Sequence, residues 1–147
     1  MKQVFVTASP AETAALAAKL AAQLQGGEVL AFTGGMGMGK TAFTAGLVEG
    51  LGGKNVVSSP TFAIVNEYRA RLTVEHFDMY RITCWDDLYS TGFFDYLDTD
   101  CVLVIEWSEN MEAALPEHAV QIDIAPGETE TERIITIDGW EGELSLC

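Results

Sequence analysis

Basic residues are scarce in this sequence. Its 147 residues include 8 Lys and Arg against 22 Asp and Glu, which gives a formal net charge of −14. Proteins that hold RNA or DNA neutralise phosphates with clustered Lys and Arg, so we expect no direct, stable binding of nucleic acid by this chain. An acidic surface favours a basic protein partner, or serves only to keep the chain soluble, and the sequence leaves both interpretations open.

Cysteines are few, and long hydrophobic runs are absent. Cys84, Cys101 and Cys147 are odd in number and lack metal-ligand spacing, so neither a disulfide framework nor a zinc site is predicted. No apolar run approaches transmembrane length, and the N-terminus lacks the apolar segment of a signal peptide. We therefore expect no membrane association and a location in a reducing cytoplasm. The length predicts one domain that spans residues 1–147.

Against this background, one stretch carries a strong chemical signal. Gly34–Thr41 satisfies G-x-x-x-x-G-K-[ST], the phosphate-binding P-loop. Glycines let backbone N–H groups point at a phosphate, a lysine such as Lys40 reaches the β- and γ-phosphates, and a hydroxyl such as that of Thr41 binds Mg²⁺. Val29–Phe32 reads as a buried strand before the loop, and Thr41–Leu51 as a helix behind it. The alternative, a glycine-rich helix entry that binds nothing, is disfavoured by this context.

The remaining pattern predicts an α/β fold, a P-loop NTPase-like domain with a mixed central sheet flanked by helices. Further strands are predicted over 4–7, 56–57, 63–68, 72–77, 101–105, 120–124 and 133–137, and the pair 63–68 and 72–77 is expected to be antiparallel. Helices are predicted after Ser9, ending at Gly26-Gly27, and over 85–96 with an interruption at Gly92.

Two carboxylates follow predicted strands. The apolar run 101–105 ends in Glu106, as in a Walker B strand whose acid acts on Mg²⁺ or water. Asp78 ends the strand that carries His76, at the edge where open α/β sheets bind their ligands. The structural alternatives are a strand-end acid in solvent for Glu106, a helix or turn cap for Asp78, and a hydrogen-bonded structural residue for His76, which we favour.

Two further positions admit both a functional and a structural interpretation. A hydroxyl from Ser59 or Thr61, in the loop after the P-loop helix, is a candidate to reach the γ-phosphate or Mg²⁺; on spacing alone an ordinary turn fixed by Pro60 is favoured. Trp107 either stacks on a nucleotide base or packs at the edge of the sheet.

Taken in order, these motifs resemble the TsaE family (YjeE-like), the P-loop ATPases of bacterial tRNA threonylcarbamoyladenosine biosynthesis. The resemblance runs from Phe32 to about Trp107. It rests on the P-loop, Ser59-Pro60-Thr61-Phe62, His76-Phe77-Asp78 with Tyr80-Arg81, Gly92 with Asp95-Tyr96-Leu97, and Glu106-Trp107. Gly35, Met36 and Met38 stand where many members have an acid, Leu and Ala, but these positions contribute mostly backbone.

The resemblance implies ATP and Mg²⁺ as cofactors. It implies Lys40 and Glu106 as catalytic residues, with Glu106 orienting or activating the attacking water, and a metal site formed by Thr41, Asp78 and Glu106. The nucleotide-binding residues that it implies are Gly35, Met36, Gly37, Met38, Gly39, Lys40, Thr41, Thr61 and Trp107. The implied partners are a threonylcarbamoyl-transferase subunit and its catalytically inactive paralogue, of the TsaD and TsaB type.

Other classes of nucleotide protein fit the sequence less well. A P-loop kinase for a small molecule needs a lid with several cations, but the four Arg of this chain are not clustered after the P-loop. A GTPase would carry an Asn-Lys-x-Asp motif, which is absent. A nucleotide sensor that does not hydrolyse its ligand would not need two strand-end carboxylates.

Overall fold

A computed structural model describes residues 2–33, 39–53, 65–79, 82, 84–97, 99–106 and 108–144, with the side chains of 109–111 left aside. The strands are β1 (Lys2–Thr7), β2 (Val29–Thr33), β3 (Val65–Tyr68), β4 (Val74–Asp78), β5 (Val102–Glu106), β6 (Val120–Pro126) and β7 (Arg133–Asp138). The helices are α1 (Pro10–Ala21), α2 (Lys40–Gly50), α3 (Trp85–Ser90) and α4 (Phe93–Leu97), and a 3₁₀ helix covers Ser108–Ala114. No helix within these ranges is long and apolar enough to cross a membrane.

The described strands form one seven-stranded mixed sheet in the order β1-β7-β6-β2-β5-β4-β3. The central strands β6, β2, β5 and β4 run parallel, whereas β3, β7 and β1 add antiparallel pairs at the two sides. Every residue of β5 is buried, as expected for a parallel strand covered on both faces. The carboxyl ends of β2, β5 and β4 therefore meet at one edge of the sheet.

The fold confirms the predicted α/β class and the mixed sheet flanked by helices. β3 and β4 are antiparallel, and α3 and α4 are separated at Gly92, whose φ of 80° favours glycine. The strand predicted at 56–57 lies outside the described residues. The prediction of a single domain over 1–147 stays a prediction.

One helix ends earlier than the sequence predicts. Ser9 caps α1 by accepting a hydrogen bond from the N–H of Glu12 at 3.2 Å, but the helix stops at Ala21 and not at Gly26-Gly27. The guanidinium of Arg71 donates to the carbonyl oxygens of Ala21 and Leu24 at 3.0 and 3.3 Å. These long-range hydrogen bonds hold the end of α1 and the segment after it, where the carbonyl oxygen of Ala21 also accepts from the N–H of Leu24 at 3.2 Å.

The two faces of the sheet bury separate apolar clusters. On one face, α1 and α2 cover Leu30, Phe32 and Val104; on the other face, α3 and α4 cover Phe77 and Ile105. The rings of Phe32 and Phe43 meet edge to face with their centroids 5.4 Å apart. Helix α2 is thereby fixed against the strand that precedes it.

Candidate functional site

The start of α2 has the features of an anion-binding helix N-terminus. Gly39 precedes the helix with a φ of 99°, and no side chain caps the first turn. The first turn carries no acidic residue, and the N–H groups at the start of a helix have no intrahelical partners. Lys40 opens the helix with only 5% of its surface exposed, and Thr41 beside it is exposed. The positive end of the helix dipole, the first N–H groups of the helix and a lysine thus lie at the same end of α2.

Asp78 and Glu106 are neighbours at the ends of parallel strands. The two residues are direct partners in the β4–β5 register, and the N–H of Met79 donates to the carbonyl oxygen of Glu106 at 2.9 Å. Side chains alternate along a strand, so both carboxylates lie on the face of Val104, which α1 and α2 cover. The carboxylates and the start of α2 are therefore on the same face, at the same edge of the sheet.

A buried histidine holds one of these carboxylates. Nε2 of His76 lies 2.6 Å from Oε2 of Glu106; His76 is fully buried and Glu106 is 6% exposed. Nδ1 of His76 has no hydrogen-bond partner among the described residues. With its hydrogen on Nε2, the imidazole donates to the carboxylate and leaves only a lone pair without a partner. The second oxygen of Glu106 remains available for other contacts, so the histidine fixes the side chain without using all of its acceptors.

This contact was not foreseen from the sequence, which favoured a hydrogen-bonded structural role for His76 but named no partner. The pairing joins residues on two strands whose register the sequence does not specify. A signal existed nonetheless, because His76 and Asp78 share one strand face by period two.

Two further hydrogen bonds anchor β2, the strand that precedes the glycine-rich motif in sequence. The hydroxyl of Thr33 donates to Oδ1 of Asp123 on β6 at 2.8 Å. On the other side, the buried hydroxyl of Ser108 donates to the carbonyl oxygen of Phe32 at 3.0 Å. The sequence gives no direct signal for either bond, since each depends on which strands become neighbours. Together they fix the last residues of β2.

A second pair of carboxyl groups lies on the opposite face of the sheet. Glu75 on β4 is opposite Glu67 on β3, and Glu75 is 1% exposed. Burial, and then the hydrogen bond and negative charge of Glu67, raise the pKa of Glu75 from 4.5 to about 8. The hydrogen bond with Glu75 lowers the pKa of Glu67, with help from Arg69 at 3.2 Å. The pair thus shares one proton near neutral pH.

The raised pKa of Glu75 makes stability depend on pH. Because the folded protein holds this proton more tightly than the unfolded chain, its stability falls as the pH rises from about 4.5 to about 8. Glu75→Gln keeps a neutral side chain throughout and should raise Tm at pH 8.5 far more than at pH 5. We expect roughly 1 to 2 kcal/mol at pH 8.5, about 3 to 6 °C, because water near the half-exposed Glu67 reduces the penalty.

Thermal unfolding by circular dichroism at the two pH values measures this difference. Glu117→Gln, which removes a carboxylate from an exposed turn, is the matched control and should shift Tm equally little at both pH values. An equal gain for Glu75→Gln at pH 5 and pH 8.5 would show that Glu75 is not protonated in the folded protein.

The structure places part of the predicted site. Gly39, Lys40 and Thr41 lie at the start of α2, and Asp78 and Glu106 lie at adjacent strand ends. The other predicted site residues fall outside the described residues: Gly35, Met36, Gly37, Met38, Thr61 and Trp107. Ser59, the other hydroxyl candidate, and Arg81 of the Tyr80-Arg81 motif also lie outside them.

The described residues fit a nucleotide with Mg²⁺ better than a metal held by protein alone. They contain no cluster of three or more His, Cys, Asp or Glu side chains that could hold a metal ion. Mg²⁺ in nucleotide sites is bound through one or two carboxylates, phosphate oxygens and water. Two adjacent strand-end carboxylates beside a helix start with Lys40 and Thr41 match that donor set.

Comparisons with known proteins agree on one family. A family model described as "Threonylcarbamoyl adenosine biosynthesis protein TsaE" matches residues 7–135. The tRNA threonylcarbamoyladenosine biosynthesis protein TsaE of Bacillus subtilis is 39% identical over an alignment that covers all of this chain and 93% of that protein. Its namesake from Treponema pallidum is 35% identical, with 81% of this chain and 88% of that protein covered.

A solved structure is also similar. The crystal structure of YdiB from Bacillus subtilis superimposes with a TM-score of 0.75 at 36% sequence identity. The superposition covers 93% of this chain and 84% of that chain. The likeness therefore extends well beyond the P-loop and includes the strands that carry both carboxylates.

Proposed function

Because the chain belongs to the TsaE family of tRNA threonylcarbamoyladenosine biosynthesis proteins, we propose that it is an accessory ATPase of that modification. In this proposal it binds ATP with Mg²⁺ and hydrolyses it to support repeated turnover of the complex that modifies adenosine 37 of tRNA. The observation that carries the proposal is the meeting of the α2 start, Asp78 and Glu106 at one edge of the sheet.

Phosphate binding is assigned to the start of α2. Its N–H groups and the Lys40 ammonium face an incoming anion, and Lys40 neutralises charge that builds on the β- and γ-phosphates during transfer. The exposed hydroxyl of Thr41 and the carboxylate of Asp78 are the proposed ligands for the cation, with Glu106 close enough in register to contribute. Bound Mg²⁺ would supply positive charge that offsets the negative charge of the phosphates.

Glu106 is proposed to position the attacking water. A carboxylate accepts the proton of a water molecule effectively only when its own orientation is fixed. The hydrogen bond from His76 provides that fixation, because it holds Oε2 and leaves Oε1 to contact water. Burial of the pair keeps bulk water from competing for the carboxylate.

Partners are part of the proposal. We propose that the protein acts with a threonylcarbamoyl-transferase subunit and its inactive paralogue, of the TsaD and TsaB type, and hydrolyses ATP slowly without them. A stabilising arginine supplied by a partner would increase the rate of hydrolysis by a factor on the order of 10³ to 10⁵.

The test measures ATP turnover by the purified full-length chain alone and with the two partner subunits. Slow turnover alone, a requirement for Mg²⁺ and a clear acceleration with the partners are expected. ATP should be preferred to GTP in a binding titration, since no guanine-reading motif occurs. Fast turnover by the isolated chain, or none with the partners, would contradict the proposal.

Asp78→Asn should weaken the apparent affinity for Mg²⁺ specifically. The amide keeps the size of the side chain but loses its charge, so the Mg²⁺ concentration for half-maximal turnover should rise about tenfold or more. Affinity for ATP measured without Mg²⁺ should change little. Asp138→Asn removes an exposed strand-end carboxylate at the far side of the sheet and serves as the matched control. If both variants showed the same Mg²⁺ dependence as the unmodified protein, Asp78 would lose its role.

A further inference from the structure

An exposed aromatic cluster lies on α3 and α4, on the sheet face opposite Lys40. Trp85 and Tyr89 are 45% and 63% exposed, and they are the only aromatic side chains exposed to this degree in the described ranges. The ring of Trp85 stacks on that of Phe94 with centroids 6.1 Å apart and planes 14° from parallel. The ring centroids of Tyr89 and Phe94 are 4.8 Å apart. Three rings thus form one continuous apolar surface, which we call the aromatic patch.

The cluster is anchored from below. Phe93, which is fully buried, contacts both Phe94 and Phe77, and Leu88 is fully buried beneath α3. Folding therefore already uses the inner side of these two short helices, and the exposed rings of Trp85 and Tyr89 are not needed to fill the core. A contiguous exposed aromatic surface is typical of an interaction site.

The two helices that carry the patch contain acidic residues but no Lys or Arg. Asp86 and Asp95 are exposed on the same two helices, and no Lys or Arg occurs in the sequence between Arg81 and Arg133. A second copy of this chain would bring the same carboxylates and a net charge of −14 against it. Nucleic acid and anionic lipid are repelled for the same reason. Charge complementarity therefore requires a cationic occupant.

Aromatic rings combined with carboxylates select arginine among cations. The planar guanidinium stacks on aromatic faces and donates paired hydrogen bonds to a carboxylate, whereas the lysine ammonium is compact and more strongly hydrated. We infer that the aromatic patch, with Asp86 and Asp95, is a docking surface for an arginine-bearing segment of a protein partner. This inference depends on the proposed function only for the identity of that partner.

The aromatic patch is connected to the strand that carries Asp78. In sequence, α3 begins seven residues after Asp78, so the patch is connected to the strand end that carries this carboxylate. The rings of Phe77, directly before Asp78, and Phe93 meet edge to face with centroids 5.5 Å apart. A partner bound to α3 and α4 would therefore contact helices that pack against β4, the strand that ends at Asp78. The partner would not itself occupy the candidate site.

A small-molecule probe that carries a single arginine side chain tests the aromatic patch directly. The full-length ¹⁵N-labelled chain is titrated with N-acetyl-arginine amide and, separately, N-acetyl-lysine amide at millimolar concentrations. The indole N–H signal of Trp85, assigned with Trp85→Phe, should shift with arginine and less with lysine. The indole of Trp140, which donates to Gln23 at 2.9 Å, should not move. Equal shifts for both indoles, or no shift for Trp85, would overturn the inference.

A partner titration supplies the second arm. The combined variant Trp85→Ala with Tyr89→Ala should bind the two partner subunits at least tenfold more weakly, and added salt should weaken binding of the unmodified protein. Tyr89→Phe keeps the ring, and Val4→Ala with Val6→Ala removes exposed apolar surface from β1; both should bind normally. Circular dichroism confirms that each variant is folded. Unchanged affinity for the combined variant would contradict the inference.

The two proposals fail in different ways. If the combined variant binds the partner subunits weakly but keeps normal affinity for ATP, the aromatic patch acts in docking and not in nucleotide binding. If the unmodified protein bound no partner subunits while Trp85 still responded to arginine amide, the proposed partners would be wrong and the docking surface would stand.

Discussion

Lys40→Met should reduce ATP affinity at least about 100-fold and leave the fold intact. The ammonium group is expected to contact phosphate oxygens, and each hydrogen bond between charged groups contributes about 1.5 to 3 kcal/mol. Met retains the apolar stem that fills the space at the start of α2, where Lys40 is 5% exposed, so packing is preserved while the charge is lost. Isothermal titration with ATP and Mg²⁺ measures the loss.

The control is a second lysine on a neighbouring helix. Lys19→Met in the last turn of α1 removes the same charge away from the site and should leave ATP affinity within about twofold. Thermal unfolding of both variants separates binding from folding. If Lys40→Met lost its structure, the lysine would have a structural role; if it bound ATP normally, the phosphate assignment would be wrong.

Local patterns predicted most of the described fold. The continuous apolar run before Glu106 predicted a parallel strand buried on both faces, and β5 is such a strand, parallel to β2 and β4. The signal at Ser9 and Pro10 placed the start of α1, and Gly92 placed the break between α3 and α4. These features are predictable because a few neighbouring residues determine them.

Features that depend on strand neighbours were not predictable. The pairing of β1 with β7 brings the two ends of the described chain together, and no local pattern specifies it. The end of α1 is held in part by a hydrogen bond from Arg71, which is 50 residues away in sequence. The proton shared by Glu67 and Glu75 requires the β3–β4 register, since only cross-strand neighbours bring like charges into contact.

The candidate site shows the same division. Motif and strand ends identified Lys40, Asp78 and Glu106, and the register places the two carboxylates side by side. The motif did not show that Glu106 is held by His76, because the 2.6 Å contact crosses from β5 to β4 diagonally. That contact fixes the orientation of the carboxylate at the end of β5.

Glu106→Gln should separate hydrolysis from binding. The amide oxygen still accepts a hydrogen bond from Nε2 of His76, so the strand end and Tm should be nearly unchanged. The neutral side chain cannot take a proton from water, and losing a general base lowers the rate about 10² to 10⁴-fold. ATP affinity should remain within about threefold. Single-turnover assays of phosphate release with the partner subunits, beside ATP titrations, measure both quantities.

His76→Leu distinguishes orientation from chemistry in the same assay. Leucine fills most of the buried volume but donates nothing, so the Glu106 carboxyl group keeps its acceptor atoms and loses the donor that fixes its orientation. Turnover should fall less than in Glu106→Gln, and adding His76→Leu to Glu106→Gln should cost little more, because residues that act as a unit are not additive. Independent losses that multiply in the double variant would show that His76 does not act through Glu106. Unchanged turnover in Glu106→Gln would remove the carboxylate from the mechanism.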